Sequence, residues 1–289
     1  MYPRHFFDRF PPYPRSQRVF VAMSFDPRLE ARWNTVIGPA IAEVSVDGKV
    51  LAPHRVDSRS VSDSILTEIL SGVGSSLLIF GDVTSLDTLN GVPLRNPNVF
   101  YEIGIAHAMR LPEEVLLFRS DDGPLLFDVA NIRVNQYDPD TDPGKARAQI
   151  SGAVSAAVRE INLTRSLVVG SYAARLDSQS WIALLLAQNQ GYLEHPVVRT
   201  LGQAVIGRAR EAAITSLLEL GLIETMYGVT GPDLVKTIKE GGTPLEQVFR
   251  YQMTNLGRAV LQLCMNRLGL ELRPAAEVSS QVEPGPTGA

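Results

Sequence analysis

Two kinds of apolar pattern alternate over the first half of the chain. Arg18–Met23 (RVFVAM), Lys49–Ala52, Ser76–Phe80 (SLLIF), Val115–Phe118 and Ile132–Val134 are short and continuously apolar, which predicts buried strands. Between them, apolar residues recur every three or four positions. Ala31–Val44 places Trp33, Val36, Ile37, Ile41 and Val44 on one helical face, and Ser62–Leu70 turns Ile65, Leu66 and Ile69 inward with Ser62 as its cap. Asn96–Met109 (NPNVFYEIGIAHAM) aligns Val99, Ile103 and Ala106, and Lys145–Ile161 aligns Ile150, Val154, Ala157, Val158 and Ile161. Strands apolar on both faces, alternating with helices, predict a parallel sheet covered on both sides. Right-handed crossovers make 2-1-3-4-5 the expected order of its five strands.

The pattern changes after Gly170. A helix through Gln188 capped by Ser178 or Ser180, a long helix over 203–220 stopped by Gly221, and short strands at Leu222–Glu224 and Tyr251–Met253 are expected. Thr254 caps a last helix that ends at Gly269. This order resembles a winged-helix domain with 229–243 as an elaborated wing. The domain expectation is therefore an N-terminal arm over 1–16, an α/β domain over 17–163, a winged-helix-like and mainly helical domain over 171–270, and a disordered tail over 271–289. Phe6, Phe7 and Phe10 make the arm a candidate for docking on the body or on a second subunit.

Composition narrows the function classes. The chain has 289 residues, 45% hydrophobic and 20% charged, which is globular composition and long enough for two domains. A net charge of −4 argues against a protein that binds nucleic acid or membrane by bulk electrostatics. Between Arg175 and Glu271 nine basic and nine acidic residues cancel, so the second domain has no basic stripe; DNA binding there is disfavoured though open, and an oligomerisation or partner-binding role is preferred. The lone Cys264 fits a reducing cytoplasm, no His pair has metal-ligand spacing, and no apolar run reaches membrane-span length.

The candidate chemistry gathers where strands 1 and 3 of a 2-1-3-4-5 sheet lie side by side. Ligands bind at the carboxyl ends of strands at such a reversal. Ser24, Phe25 and Asp26 follow strand 1; Gly81, Asp82 and Thr84 follow strand 3; and the helix beginning at Asn96 starts beside them. Asn96 can cap that helix and Pro97 suits its first position. Asn98 and Glu102, four apart, share a face of its first two turns. MSFDPR after strand 1 is neither GxGxxG nor GxxxxGK[ST], which argues against dinucleotide dehydrogenases and P-loop NTPases. A crevice with carboxylates and an aromatic ring suits chemistry at a sugar's anomeric carbon. There a carboxylate attacks or shields an oxocarbenium-like centre while Phe25 stacks on a base. Arg55 and Asp57, after strand 2, can pair with each other, or Asp57 can reach the crevice.

VFVAMSFD, HRVD, the apolar strand ending GDVT, and NPNVFYEIGIAHA resemble the nucleoside 2-deoxyribosyltransferase-like superfamily and, more distantly, bacterial Toll/interleukin-1 receptor (TIR)-like NADase domains. The resemblance covers the first half of the chain and is most specific at NPNVFYE. It implies a flavodoxin-like sheet, a catalytic glutamate at Glu102, sugar or base binding by Asp82, ribose orientation by Asn98, and a base pocket lined by Phe25. Where deoxyribosyltransferases carry an acidic base-contacting residue, this chain has Asn96; hydrolysis or cyclisation of NAD thus stands beside base transfer.

The expected function is a metal-free N-glycosidase of cytoplasmic location. Glu102 is the catalytic residue, and Ser24, Phe25, Asp57, Asp82, Thr84 and Asn98 bind the substrate. NAD or a related nucleotide is a substrate rather than a cofactor. The resemblance also implies a regulated, homo-oligomeric NADase in antiphage defence. Two alternatives stay open: a nucleotide-binding sensor whose second domain contacts DNA or protein, and a nucleoside 2-deoxyribosyltransferase.

Overall fold

A computed structural model describes residues 11, 15–56, 65–125, 132–194, 201–226 and 250–270. The arm residues Phe6, Phe7 and Phe10, the Ser62 cap, Asp57, the 229–243 segment and the tail over 271–289 lie outside them. The chain divides into two compact units, Met1–Arg165 and Ser166–Ala289.

In the first unit β1 (Ser16–Ala22) leads into a helical segment made of α1 (Pro27–Arg32), a π-helical turn (Trp33–Ile37) and α2 (Gly38–Ala42). Next come the hairpin β2 (Ser45–Val46) and β3 (Lys49–Val50), strand β4 (Ala52–His54), α3 (Ile65–Ser75) and β5 (Ser76–Asp82). A second hairpin, β6 (Asp87–Leu89) and β7 (Val92–Leu94), precedes α4 (Pro97–Met109). Strand β8 (Val115–Arg119), strand β9 (Val134–Gln136) and α5 (Pro143–Ala173) follow, the last eight residues of α5 being counted with the second unit. The order β4-β1-β5-β8-β9 is parallel throughout, a flavodoxin-like α/β sheet with the expected reversal between β1 and β5.

Alternate residues of each strand feed opposite cores, which is why the strands read as unbroken apolar runs. Val19, Val21, Leu78, Phe80 and Phe118 pack with Val36, Ile37 and Ile41 on one side and with Ile150 and Val154 of α5. Phe20, Ala22, Ile79 and Leu117 pack with Ile69 and Val73 of α3 and with Val99, Ile103 and Ala106 of α4.

Several local expectations are corrected. Lys49–Val50 turns back on Ser45–Val46 through Asp47-Gly48, both at positive φ, so the second sheet strand begins at Ala52. Pro53 is tolerated because β4 is an edge strand. The stretch before Arg95, for which the apolar pattern predicts no strand, forms the hairpin β6–β7, closed by Asn90-Gly91 at φ 51° and 78°. Ile65 and Leu66 of α3 are exposed, and Ile69 and Val73 make its buried stripe.

The second unit holds α6 (Ser178–Gln190), β10 (Leu193–Glu194), α7 (Leu201–Glu219), β11 (Ile223–Thr225), β12 (Arg250–Met253) and α8 (Asn255–Arg267). Its strands form an antiparallel sheet in the order β10-β12-β11. Asp177, not Ser178 or Ser180, caps α6, accepting from the Ser180 N–H at 2.6 Å; Thr254 caps α8 as expected. Ala213, Ile214 and Leu217 make the buried stripe of α7, and Ile206 is exposed.

No helix among the described residues is long and apolar enough to cross a membrane.

Candidate active site

The sequence folds α4 against the carboxyl end of β1 through two side chains. The Asn96 carboxamide oxygen accepts from the Asn98 N–H at 2.9 Å, capping the helix, while its amide nitrogen donates to Ser24 Oγ at 3.0 Å. Ser24 Oγ also accepts from the Asp26 N–H at 3.2 Å. Ser24 thus belongs to the crevice as a fastener between β1 and α4. Asp26 caps α1 and pairs with Arg28, which lowers its pKa to about 2. Arg95, at the foot of α4, grips Asp121 at 2.7 and 3.0 Å and also donates to the Val83 carbonyl. Asp121, just past the end of β8, is the other half of that clamp.

Gly81 lets α4 reach the end of β5. A Cβ there would lie 2.9 Å from Ile103 and Leu117 side-chain atoms. Glu102, the neighbour of Ile103, sits beside the buried Val99–Ile103–Ala106 stripe, on the face it shares with the exposed Asn98. Partly buried and without a hydrogen bond or ion pair among the described residues, its carboxyl is pushed by desolvation up to about 7. Tyr101, the preceding residue of α4, is 59% exposed. His107 is partly buried, and desolvation lowers its pKa.

Asp82 and Thr84 come together, but beneath the surface. The Asp82 carboxylate accepts from the Thr84 N–H at 3.0 Å and from the Thr84 hydroxyl, and from the Tyr137 hydroxyl at 2.8 Å. Thr84 Oγ1 in turn accepts from the Ser120 N–H at 3.0 Å. The Asp82 side chain is fully enclosed, and burial raises its pKa against the pull of Thr84, Tyr137 and Arg32. This places Asp82 as an internal brace joining the ends of β5, β8 and β9, with no route for direct contact with a sugar hydroxyl. Tyr137 and Arg32, whose Nη1 lies 3.8 Å from Asp82, were not anticipated from sequence. Tyr137 stands 55 positions away, and no local spacing signals it.

Phe25 is 43% exposed, but one cation already lies against its ring. The Arg55 guanidinium sits 4.5 Å from the Phe25 centroid and 4.9 Å from that of Trp33, while its Nη2 donates to Glu30 at 3.0 Å. Arg55 therefore pairs with Glu30. Among the described residues no group of three or more His, Cys, Asp or Glu side chains could hold a metal ion.

No protein-family model matches the chain, and no curated protein matches it. Among solved structures, a metal-soaked flavodiiron core from Synechocystis aligns at 14% identity, covering 51% of this chain and 36% of that one, with a TM-score of 0.33. A likeness that weak carries no functional argument.

Proposed function

We propose that the first unit is an N-glycosidase that cleaves the nicotinamide–ribose bond of NAD or a related nucleotide, with Glu102 as its catalytic carboxylate. The observation that supports this reading most is a partly buried carboxyl, unpartnered among the described residues, with a pKa of about 7, on the second turn of a helix at the sheet's switch point. The resemblance of NPNVFYE to the deoxyribosyltransferase-like and TIR-like groups supports the same role.

A desolvated carboxylate is best stabilised by an incoming positive charge, and the nicotinamide ribosyl group of NAD carries one. Breaking the glycosidic bond sends its electron pair to the pyridinium nitrogen, so nicotinamide leaves neutral and needs no proton. The ionised Glu102 shields or attacks the anomeric carbon, and water then adds there, giving ADP-ribose and a proton. A neutral nucleoside base would need a general acid. Asp82 is locked inside and position 96 is an asparagine, so the arrangement favours a cationic leaving group over deoxyribosyl transfer between neutral bases. In this reading Asn98 meets the ribose and the outer face of Phe25 meets the base.

The second unit's helix–strand–helix–strand–strand–helix order and its β10-β12-β11 pairing support a winged-helix-like module. Its balanced charge favours a protein contact or self-association over DNA. A regulated effector of antiphage defence, assembled as a homo-oligomer, is the biological setting that this reading suggests.

The test is product analysis after incubating the purified protein with NAD and with deoxynucleosides, wild type beside Glu102→Gln. Release of nicotinamide by the wild type alone is expected. Equal turnover by both proteins would remove Glu102 from the chemistry. Tight NAD binding without product would favour a sensor instead.

A further inference from the structure

Phe25 follows the carboxyl end of β1, and Arg55 follows that of its neighbour β4, where His54 is in register with Phe20. The Arg55 guanidinium lies over the Phe25 ring at 4.5 Å and over the Trp33 ring at 4.9 Å. Its Nη2 donates to the two Glu30 carboxylate oxygens at 3.0 and 3.3 Å, and the Asn34 amide donates to the same carboxylate at 3.4 Å. Glu30, Trp33 and Asn34 stand at i, i+3 and i+4, so the segment that runs from α1 into the π-helical turn cradles the cation with one face. An ion pair with a half-exposed glutamate contributes little by itself and leaves both side chains free to turn. The Arg55 side chain is nevertheless only 14% exposed, and its Nη1 is buried with no hydrogen-bond partner. Buried donors are nearly always satisfied in folded proteins, so this donor is given up to keep the guanidinium against the two rings. Phe25, with that cation against it, still exposes 43% of its surface. A phenyl ring past a strand end with nothing behind it would sample several rotamers.

We propose that Arg55 is a positioning residue for the base-binding ring: it fixes Phe25 with one face closed by the guanidinium and the other left to receive a planar base. The proposal rests on the N-glycosidase reading for its ligand, NAD. Arg55 touches no substrate atom and acts through Phe25. Ordering the ring before the base arrives removes that rotamer cost from binding. An arginine suits the task better than a lysine, because its planar guanidinium stacks on rings while its edge still pairs with Glu30. Stacking on the base holds ground state and transition state alike, so loss of Arg55 falls on KM and leaves kcat in place.

A double-mutant cycle on the full chain tests this, read as KM and kcat for nicotinamide release and, in a Glu102→Gln background, as the calorimetric Kd for NAD. Arg55→Met and Phe25→Leu should each weaken NAD by roughly fivefold to tenfold, with kcat changed by less than about twofold. The double variant should be weaker than the poorer single variant by no more than about twofold, since both changes remove the same stacking face. Arg55→Lys keeps the charge and loses the plane, and should recover part of the affinity. Glu30→Gln, which loosens the guanidinium, should cost roughly twofold to threefold. Unchanged KM and Kd in Arg55→Met, effects that multiply in the double variant, or a fall in kcat at unchanged KM would each overturn the proposal. A wild type that binds NAD without releasing nicotinamide, with the coupling intact in Kd, would sink the glycosidase reading and leave this one standing. A wild type that does not bind NAD would overturn both.

Discussion

The two ends of the central sheet treat buried charge in opposite ways. At the amino end of β5, Arg110 is 2% exposed and spends its donors on the Val73, Ser76 and Leu77 carbonyls and on Glu114 at 2.9 Å. Burial alone would raise the pKa of Glu114, but Arg110 and Arg15 together hold it below the usual carboxylate range. At the carboxyl end Glu102 has burial without a partner, and its pKa rises to about 7. Both are glutamates of the same unit, one fixed in the charged state and the other poised between states. The difference separates a carboxylate that holds the fold together from one available for proton or charge chemistry. Asp82 stands between these cases: enclosed and raised in pKa, yet fully hydrogen-bonded.

Substitutions at each end sharpen this contrast. The largest loss is expected from Arg110→Ala, which strands Glu114 and three buried carbonyls and should cost about 3–5 kcal/mol in urea denaturation. Tyr137→Phe removes one of the hydroxyls that brace Asp82 and should cost about 1–3 kcal/mol by the same measurement. Glu102→Gln should act in the other direction. A raised folded-state pKa means that the folded protein holds its proton more tightly than the unfolded chain. The stabilising contribution is complete below about pH 4.5 and lost as pH rises through about 7. The glutamine variant should therefore be more stable than wild type by roughly 1–2 kcal/mol at pH 8, and the gap should close on acidification. A glutamine variant that lost stability at pH 8 would mean that Glu102 is a structural carboxylate like Glu114.

Much of this architecture was legible in the chain. Sheets buried on both faces write themselves as unbroken apolar runs, and Asn96-Pro97 marked the start of α4 at the residue where it begins. The two hairpins were missed although Asp47-Gly48 and Asn90-Gly91 are strong turn signals, because their strands are only two or three residues long. At the crevice, sequence located Ser24, Asn98 and Glu102 on the right elements. It could not show that Asp82 points inward, because its partners Tyr137 and Arg32 arrive from distant parts of the chain. Nor could it show that Arg55 covers Phe25. Such pairings are set by crossover geometry, and no residue pattern near either partner records them.

The central claim is that the ionised Glu102 acts at the anomeric carbon of a cationic nucleotide. Its most direct test is the pH dependence of kcat/KM for nicotinamide release from NAD by wild type and Glu102→Gln, with NAD affinity measured alongside. A rate that climbs through an apparent pKa near 7 in the wild type, and is lost in the glutamine variant while NAD still binds, is the expected result. A Glu102→Gln protein that releases nicotinamide at the wild-type rate would contradict it.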